Sequence, residues 1–261
     1  LNVAATYTAN FAEDADVTIN YVSADTTMGT VDPASQTLAP ATGAAAGSTA
    51  TAKAGYHFTE WTKQSDSSSV GTTMEYVPGK NADGIYEAET YVAHFAQNDN
   101  VTLRYESEDQ NKGTVDPGTE SLAPATGSAA GSTATAMPGY HFKNWTLESV
   151  QNDGSQTIID RLNNLIGTKV SESATLTKAV VDTYAKNSDG IYEPVKFVAH
   201  FEEDADVTID YVSADETMGT VTPGNESLAP ATGVAAGSTA TAKAGYHFVN
   251  WTKSDNTVAS T

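Results

Sequence analysis

Five histidines, three tryptophans and two clusters of acid are the side chains of this sequence whose types and spacing could do chemistry. His57, His141 and His247 each precede a Phe, and His94 and His200 recur in a Val-Ala-His-Phe stretch. A metal centre needs two or more such rings to converge with a third ligand. No short His/Cys/Asp spacing in the chain supplies that, so each ring is read as a polar residue on the outer face of a strand. Trp61, Trp145 and Trp251 could stack on the face of a sugar, but their fixed place after Gly-Tyr-His-Phe reads as a core anchor. Glu13, Asp14 and Asp16, and again Glu202, Glu203, Asp204 and Asp206, gather the oxygens that calcium favours. No Asp-x-Asp-x-Asp-Gly loop is present, so the acids are read as solvated linker charge, with inter-repeat calcium as the weaker alternative.

Two further motifs invite a sharper reading than they sustain. Leu38-Ala-Pro-Ala-Thr-Gly43, repeated at 122–127 and 228–233, looks like the sortase signal Leu-Pro-x-Thr-Gly with an Ala inserted. A sorting signal occurs once, before an apolar segment and a basic tail, so these three copies are read as structural turns. Lys80 and Lys186 recur beside Asn81 and Asn187 and could suggest an isopeptide cross-link, but they lie in a Gly-containing turn. Gly-x-Ser-x-Gly, His-Glu-x-x-His, the P-loop and Gly-x-Gly-x-x-Gly are all missing from the sequence. The expectation is therefore a non-enzyme with no catalytic, cofactor-binding or metal residue to assign and no cofactor.

The elements that carry these residues come in repeats. Val17-Thr-Ile-Asn-Tyr21, Val101-Thr-Leu-Arg-Tyr105 and Val207-Thr-Ile-Asp-Tyr211 each open a block that closes on Gly-Tyr-His-Phe-x-x-Trp-Thr. The offset is 84 residues from the first block to the second and 106 from the second to the third, at both ends of the block. All length variation therefore lies after the Trp. There the chain runs to Tyr91-Val-Ala-His-Phe95 and, with 22 extra residues, to Phe197-Val-Ala-His-Phe201; Tyr7-Thr-Ala-Asn-Phe11 matches these closing strands. The expected organisation is a closing strand of a preceding repeat over 1–16, repeat 1 over 17–100, repeat 2 over 101–206 and repeat 3 over 207–261. Repeat 3 is read as lacking its closing strand.

Within each block the alternation of Val17, Ile19 and Tyr21, and of Tyr91, Ala93 and Phe95, predicts strands with one face on a core. Four or five short strands per copy are expected. The excess in repeat 2, near 150–187, reads differently. Ser155 precedes a stripe of Ile158, Ile159, Leu162, Leu165 and Ile166 that ends at Gly167, and Ser173 precedes Leu176, Ala179, Val180 and Tyr184. Helices over about 156–166 and 174–185 follow, an inserted hairpin in one loop.

Charge and composition narrow the function. Thirteen Lys and Arg against thirty-three Asp and Glu leave a formal charge of −20, which repels nucleic acid and anionic lipid. There is no Cys to staple a domain and no apolar run long enough to span a bilayer, so no nucleic-acid partner and no membrane insertion are expected for this window.

On Gly-Tyr-His-Phe-x-x-Trp followed by a Val-Ala-His-Phe strand, the chain resembles the divergent internalin-B B-repeat family of bacterial surface proteins, close to the Listeria–Bacteroides repeats. The resemblance covers nearly all of it except roughly residues 148 to 186. It implies a mainly β fold of small β-grasp-like repeats in an elongated array on a Gram-positive cell surface, with no catalytic residue or cofactor to carry over. The expected role is a stalk or fibre segment that is extracellular and adhesive. The alternatives are direct binding of a host glycan or protein through the repeats or the helical insertion, and a filament subunit assembled by strand complementation. The expected partners are neighbouring repeats or subunits joined head to tail.

Overall fold

A computed structural model describes residues 3–148 and 165–260 of the chain. It is mainly β, with many small sheets in tandem and, among the described residues, a single short helix. The chain divides into two compact units, one made of Leu1–Leu103, Ser121–Ala129 and Val181–Pro194, the other of Arg104–Glu120, Ala130–Val180 and Val195–Thr261.

In the first unit the strands are β1 (Val17–Ser23), β2 (Gly29–Asp32), β3 (Ser35–Leu38), β4 (Ser48–Ala52), β5 (Tyr56–Lys63), β6 (Ser69–Gly71), β7 (Glu75–Tyr76) and β8 (Glu89–Gln97). Five of them form a sheet in the order β3-β1-β8-β5-β6, and three form a second sheet in the order β2-β4-β7. The first and last strands of the repeat, β1 and β8, lie parallel at the centre, with Ile19 opposite Glu89 and Tyr21 opposite Tyr91. On the other side β8 runs antiparallel to β5, with Phe58 opposite Phe95 and Trp61 opposite Ala93. This central parallel pair is the β-grasp-like feature. The second sheet, with no helix, covers one face of it.

Alternation sets which side chains meet between the sheets. Ile19 and Tyr21 of β1, Ala50 of β4, Trp61 of β5 and Tyr91 and Ala93 of β8 are buried together with Leu38. Tyr21 meets Trp61 edge-on at 6.0 Å, and Phe58 meets Phe95 edge-on at 5.9 Å. Small residues make room for this aromatic mass. A Cβ on Gly29 would stand 2.4 Å from the Phe95 ring, so only glycine lets the closing strand dock.

Repeat 2, residues 101–206, uses the same plan. Its strands are β9 (Val101–Ser107), β10 (Gly113–Asp116), β11 (Thr119–Leu122), β12 (Gly131–Ala136), β13 (Tyr140–Glu148), β14 (Lys169–Ser171) and β15 (Thr175–Thr177), then β16 (Val195–Glu203) after the helix α1 (Lys178–Ala185). The sheet orders β11-β9-β16-β13-β14 and β10-β12-β15 repeat those of the first eight strands. Phe142 lies opposite Phe201 and Trp145 opposite Ala199, and both long hairpins carry an irregularity one residue after the Phe.

Eight strands per complete repeat exceed the four or five expected. The additional ones, such as β6 and β7, are two or three residues long and have no alternation to reveal them. The inserted helices also need correction. Residues 149–164 of the first stripe lie outside the described residues, while Leu165 and Ile166 stand in a turn. The second helix starts later than expected, at Lys178 rather than near 174, because Thr175–Thr177 pair with β12. Leu176 is thereby buried from a strand, and Val181 and Ala185, rather than Ala179 and Val180, form the buried face of α1.

Residues 207–260 form only two-stranded sheets. These are β17 (Val207–Asp210) with β19 (Asn225–Leu228), β18 (Gly219–Thr222) with β20 (Thr239–Ala242), and β21 (Trp251–Thr252) with β22 (Val258–Ser260). The expectation of three blocks with equally buried aromatic anchors holds for two of them. Trp61 and Trp145 are fully buried and Phe58 and Phe142 partly so, whereas Trp251 is only partly covered and Phe248 is 43% exposed. No strand stands beside β21 in the position that β8 and β16 take beside β5 and β13 among the described residues.

Candidate functional site: the joint between repeats

Each repeat is tied to the chain just before it by one side chain, Glu13, Gln97 or Glu203, that meets a turn of that repeat; Gln97 and Glu203 end β8 and β16. The turn is Leu38-Ala-Pro-Ala-Thr-Gly43 and its copies. In the first copy the backbone closes on itself through the Gly43 N–H, which donates to the Ala39 carbonyl at 3.0 Å. That closure leaves the Ala41 and Thr42 N–H groups pointing outward as unpaired donors. Glu13 satisfies both: its Oε1 accepts from the Ala41 N–H at 2.7 Å and the Thr42 N–H at 2.9 Å, and its Oε2 accepts from the Thr42 hydroxyl at 2.7 Å.

The same three bonds recur before repeat 3. Glu203 accepts from the Ala231 and Thr232 N–H groups and the Thr232 hydroxyl, each at 2.8 Å. At the middle joint the equivalent residue is Gln97, whose side-chain oxygen accepts from the Thr126 hydroxyl at 2.7 Å. Two joints are therefore held by a carboxylate and one by an amide. Hydrogen bonds to an ionised acceptor are the stronger class.

A glycine brings the backbones close enough for this. Gly55 and Gly139, the first residues of Gly-Tyr-His-Phe, have φ of +81° and +83°, and a Cβ there would stand 2.8 Å from the Ala125 Cβ and 2.9 Å from the Ala231 Cβ. Their carbonyls accept from the Asn98 and Asp204 N–H groups, just past the closing strands. The joint thus needs glycine for its backbone angle and for its contact with the next turn.

Electrostatics follow the same division. The Thr42 hydroxyl, and then the Thr42 and Ala41 backbone, hold the Glu13 carboxyl below its ordinary range. Burial pushes the Glu203 carboxyl up, but the Thr232 hydroxyl and the two N–H groups outweigh it and leave it lowered. In repeat 1 the turn is braced from behind as well, since the Tyr86 N–H donates to the Pro40 carbonyl and the Ala45 N–H donates to the Tyr86 hydroxyl.

The histidines stay apart. His94 and His200 meet the hydroxyls of Thr62 and Thr146 through Nε2, both at 2.8 Å. His57 faces Asn98, His141 faces Asp204, and His247 is exposed. Among the described residues no three His, Cys, Asp or Glu side chains are grouped so as to hold a metal ion. His200 differs from His94 in also meeting Glu108 at 2.6 Å; the residues matching Glu108 in the other repeats are Ala24 and Ala214.

The sequence-predicted residues therefore fall into two groups. The tryptophans of the complete repeats are core, and the sortase-like text is a turn. The acids at the joints do more than solvate a linker, because Glu13 and Glu203 each cap a turn of the next repeat. What could have found this is the pairing of an acid or amide two residues beyond the closing Phe with a Pro-Ala-Thr turn 28 or 29 residues later. Lys80 and Lys186 also serve the turns: Lys80 donates to the Ala41 carbonyl, and Lys186 stands 4.4 Å from the centre of the Tyr192 ring. Asn81 and Asn187 cap their own turns through N–H groups two and four residues on.

A model of the divergent InlB B-repeat domain matches residues 17–99, 103–160 and 211–261. Neither a curated protein nor a solved structure matches the chain.

Proposed function

Because the chain belongs to the divergent InlB B-repeat domain family, we propose that it is a load-bearing, non-catalytic segment of a bacterial surface protein. The family fits a bacterial surface repeat protein. Beyond that, our reading is a stalk or fibre segment, extracellular on a Gram-positive cell, that carries an adhesive function. No described helix is long and apolar enough to cross a membrane.

One observation carries the reading. Repeat 1 is entered at Val17 through β1 and left at Gln97 through β8, and these strands lie side by side and parallel at the centre of the sheet. Tension along the chain therefore pulls them past each other lengthwise. Their hydrogen bonds are loaded together and must break together, whereas strands pulled apart from one end would lose them one at a time. The joint adds a second element in series, because Gln97 and Glu203 at the ends of β8 and β16 grip the turn of the following repeat, as Glu13 grips that of repeat 1.

The test is single-molecule pulling along two directions. The chain has no Cys, so introduced thiols are unique handles. Handles at Asp16 and Asn98 load the β1–β8 pair in shear, and handles at Ser23 and Asn98 peel it from one end. A clearly higher rupture force in shear is expected. Equal forces in both directions, or extension without resistance, would refute the load-bearing role.

A further inference from the structure

We propose that a charged cleft on repeat 2 binds a neutral saccharide, with Glu108, Lys112, Lys143 and Glu202 as the groups that recognise its hydroxyls. The inference goes beyond the load-bearing role and does not need it.

The cleft has a volume of about 550 Å³ and lies where β13, β16 and the turn after β9 meet. That size falls within the roughly 300–1,000 Å³ of small-molecule sites. The duplicated text provides an internal control. His200, Thr146, Tyr140 and Phe201 of the cleft match His94, Thr62, Tyr56 and Phe95 of repeat 1, so the frame is common to both. The charge is not. Where repeat 2 carries Glu108, Lys112, Lys143 and Glu202, repeat 1 carries Ala24, Met28, Thr59 and Ala96. Repeat 1 forms the same two sheets without these four charges, so the fold does not require them. In a chain with only thirteen Lys and Arg, two of them stand in this one cleft.

The charges are set in place by partners of the frame and by each other. Glu108 Oε1 accepts from the Phe201 N–H at 3.0 Å, and its Oε2 meets His200 Nδ1 at 2.6 Å. His200 Nε2 in turn meets the Thr146 hydroxyl at 2.8 Å. Burial pushes the Glu108 carboxyl up, but the Phe201 N–H and His200 outweigh it and leave it lowered, so it is charged at neutral pH. Lys112 stands 4.0 Å from Glu108, and Lys143 stands 2.8 Å from Glu202. Both lysines and Glu202 stay more than a third exposed and so keep donors and lone pairs for a ligand.

This arrangement selects a neutral ligand rich in hydroxyls. A hydroxyl both donates and accepts, so one group can bridge a Lys ammonium and a Glu carboxylate. An anion would meet three carboxylates, Glu203 included, in a chain of charge −20, and an organic cation would meet the two lysines. A metal ion finds no group of three His, Cys, Asp or Glu to hold it among the described residues. Half-buried Tyr140 supplies an aromatic wall for the apolar face of a sugar ring. Asn144 also lines the cleft, and its amide oxygen is buried without a hydrogen-bond partner, a cost that a ligand hydroxyl reaching it would remove.

The test is an amide chemical-shift titration of the isotope-labelled full chain with lactose, cellobiose, maltotriose and chitotriose, and with glucuronic acid and glucosamine as charged controls. At least one neutral sugar is expected to shift amides within 108–112, 143–146 and 200–202, while those of 24–28, 59–62 and 94–96 stay in place. A quadruple variant takes the residues of repeat 1, Glu108→Ala, Lys112→Met, Lys143→Thr and Glu202→Ala. It should bind about tenfold more weakly or worse, the factor expected for losing even one hydrogen bond to a charged group, with Trp145 emission unchanged. Should the quadruple variant unfold, Lys143→Thr alone, at an exposed side chain, must show the loss. The proposal is overturned if no neutral sugar shifts the cleft, if the repeat 1 counterparts shift equally, if the folded variant binds as wild type does, or if a charged control binds more tightly than the neutral sugars.

Discussion

The blocks 17–62 and 207–252 are written in nearly the same residues, yet only the first has a central strand beside it among the described residues. Both bring a Tyr of the opening strand edge-on to the Trp at about the same distance, 6.0 Å for Tyr21–Trp61 and 5.9 Å for Tyr211–Trp251. Both also hold the long turn by the opening Tyr and a Gln or Glu: Gln36 bridges the Tyr21 hydroxyl and the Ala46 N–H, and Glu226 bridges the Tyr211 hydroxyl and the Ala236 N–H. What differs is the central strand. With β8 in place Trp61 is fully buried; without a counterpart Trp251 is only partly covered and Val212, Met218 and Phe248 are exposed. The block from β1 to β5 therefore sets the shape of the core, and the closing strand removes it from water.

The largest expected effect comes from removing the anchor itself. Trp61→Ala should cost about 3–5 kcal/mol, since a fully buried ring leaves a cavity that a rigid two-sheet core cannot close. Trp251→Ala should cost about 1 kcal/mol or less, because its ring is already in contact with water. Urea unfolding followed by circular dichroism checks both. Equal losses would break the comparison, because they would mean that the two repeats share one degree of burial.

A smaller effect separates the glycines under the closing Phe. Gly29→Ala pushes a methyl into the Phe95 ring, where a Cβ would stand at 2.4 Å, and should destabilise by about 1–3 kcal/mol. At Gly219 the nearest atom is the Thr241 carbonyl oxygen at 3.0 Å, so Gly219→Ala needs only a slight local shift. Thermal unfolding should place the first variant well below wild type and the second close to it.

These contrasts also separate the features that are legible in the residues from those that are not. The repeat, the strands of alternating residues and the burial of Trp61 and Trp145 follow from duplicated text and a period of two, because those signals are local. The joint was hidden because its partners are 28 or 29 residues apart and each looks ordinary alone: an acid among acids, and a turn that resembles a sorting signal. Leu176 shows another limit. It fits a helical stripe with Ala179 and Val180, but pairing of Thr175–Thr177 with β12 claims it for a strand, and tertiary pairing outranks local periodicity when the apolar run is short. How fully each Trp is buried has no signal within its own block, since it depends on a strand that follows the block, as β8 follows β5.

The smallest expected effect concerns pH and compares how the two turns are supported. Glu13 and Glu203 are both lowered in the folded chain, so their contribution is present in full above the ordinary Glu value of 4.5 and is lost as pH falls through the depressed folded value. Protonation removes the charge that accepts three hydrogen bonds and frees the N–H groups of the turn. In repeat 1 the turn keeps a second support, because Tyr86 binds Pro40 and Ala45 from behind. In repeat 3 Pro230 is exposed and the turn rests on Glu203 and its own backbone. Amide exchange of Ala231 and Thr232 should therefore rise earlier and further below pH 4.5 than that of Ala41 and Thr42. The middle joint supplies the control, since Gln97 does not titrate and the Thr126 hydroxyl bond should persist through the same window. Gln97→Glu should transfer the acid sensitivity to that joint, with added protection of the Ala125 and Thr126 amides at neutral pH. If Ala41 and Ala231 lose protection together, the Tyr86 brace is not what distinguishes the complete repeat from the open one at its joint.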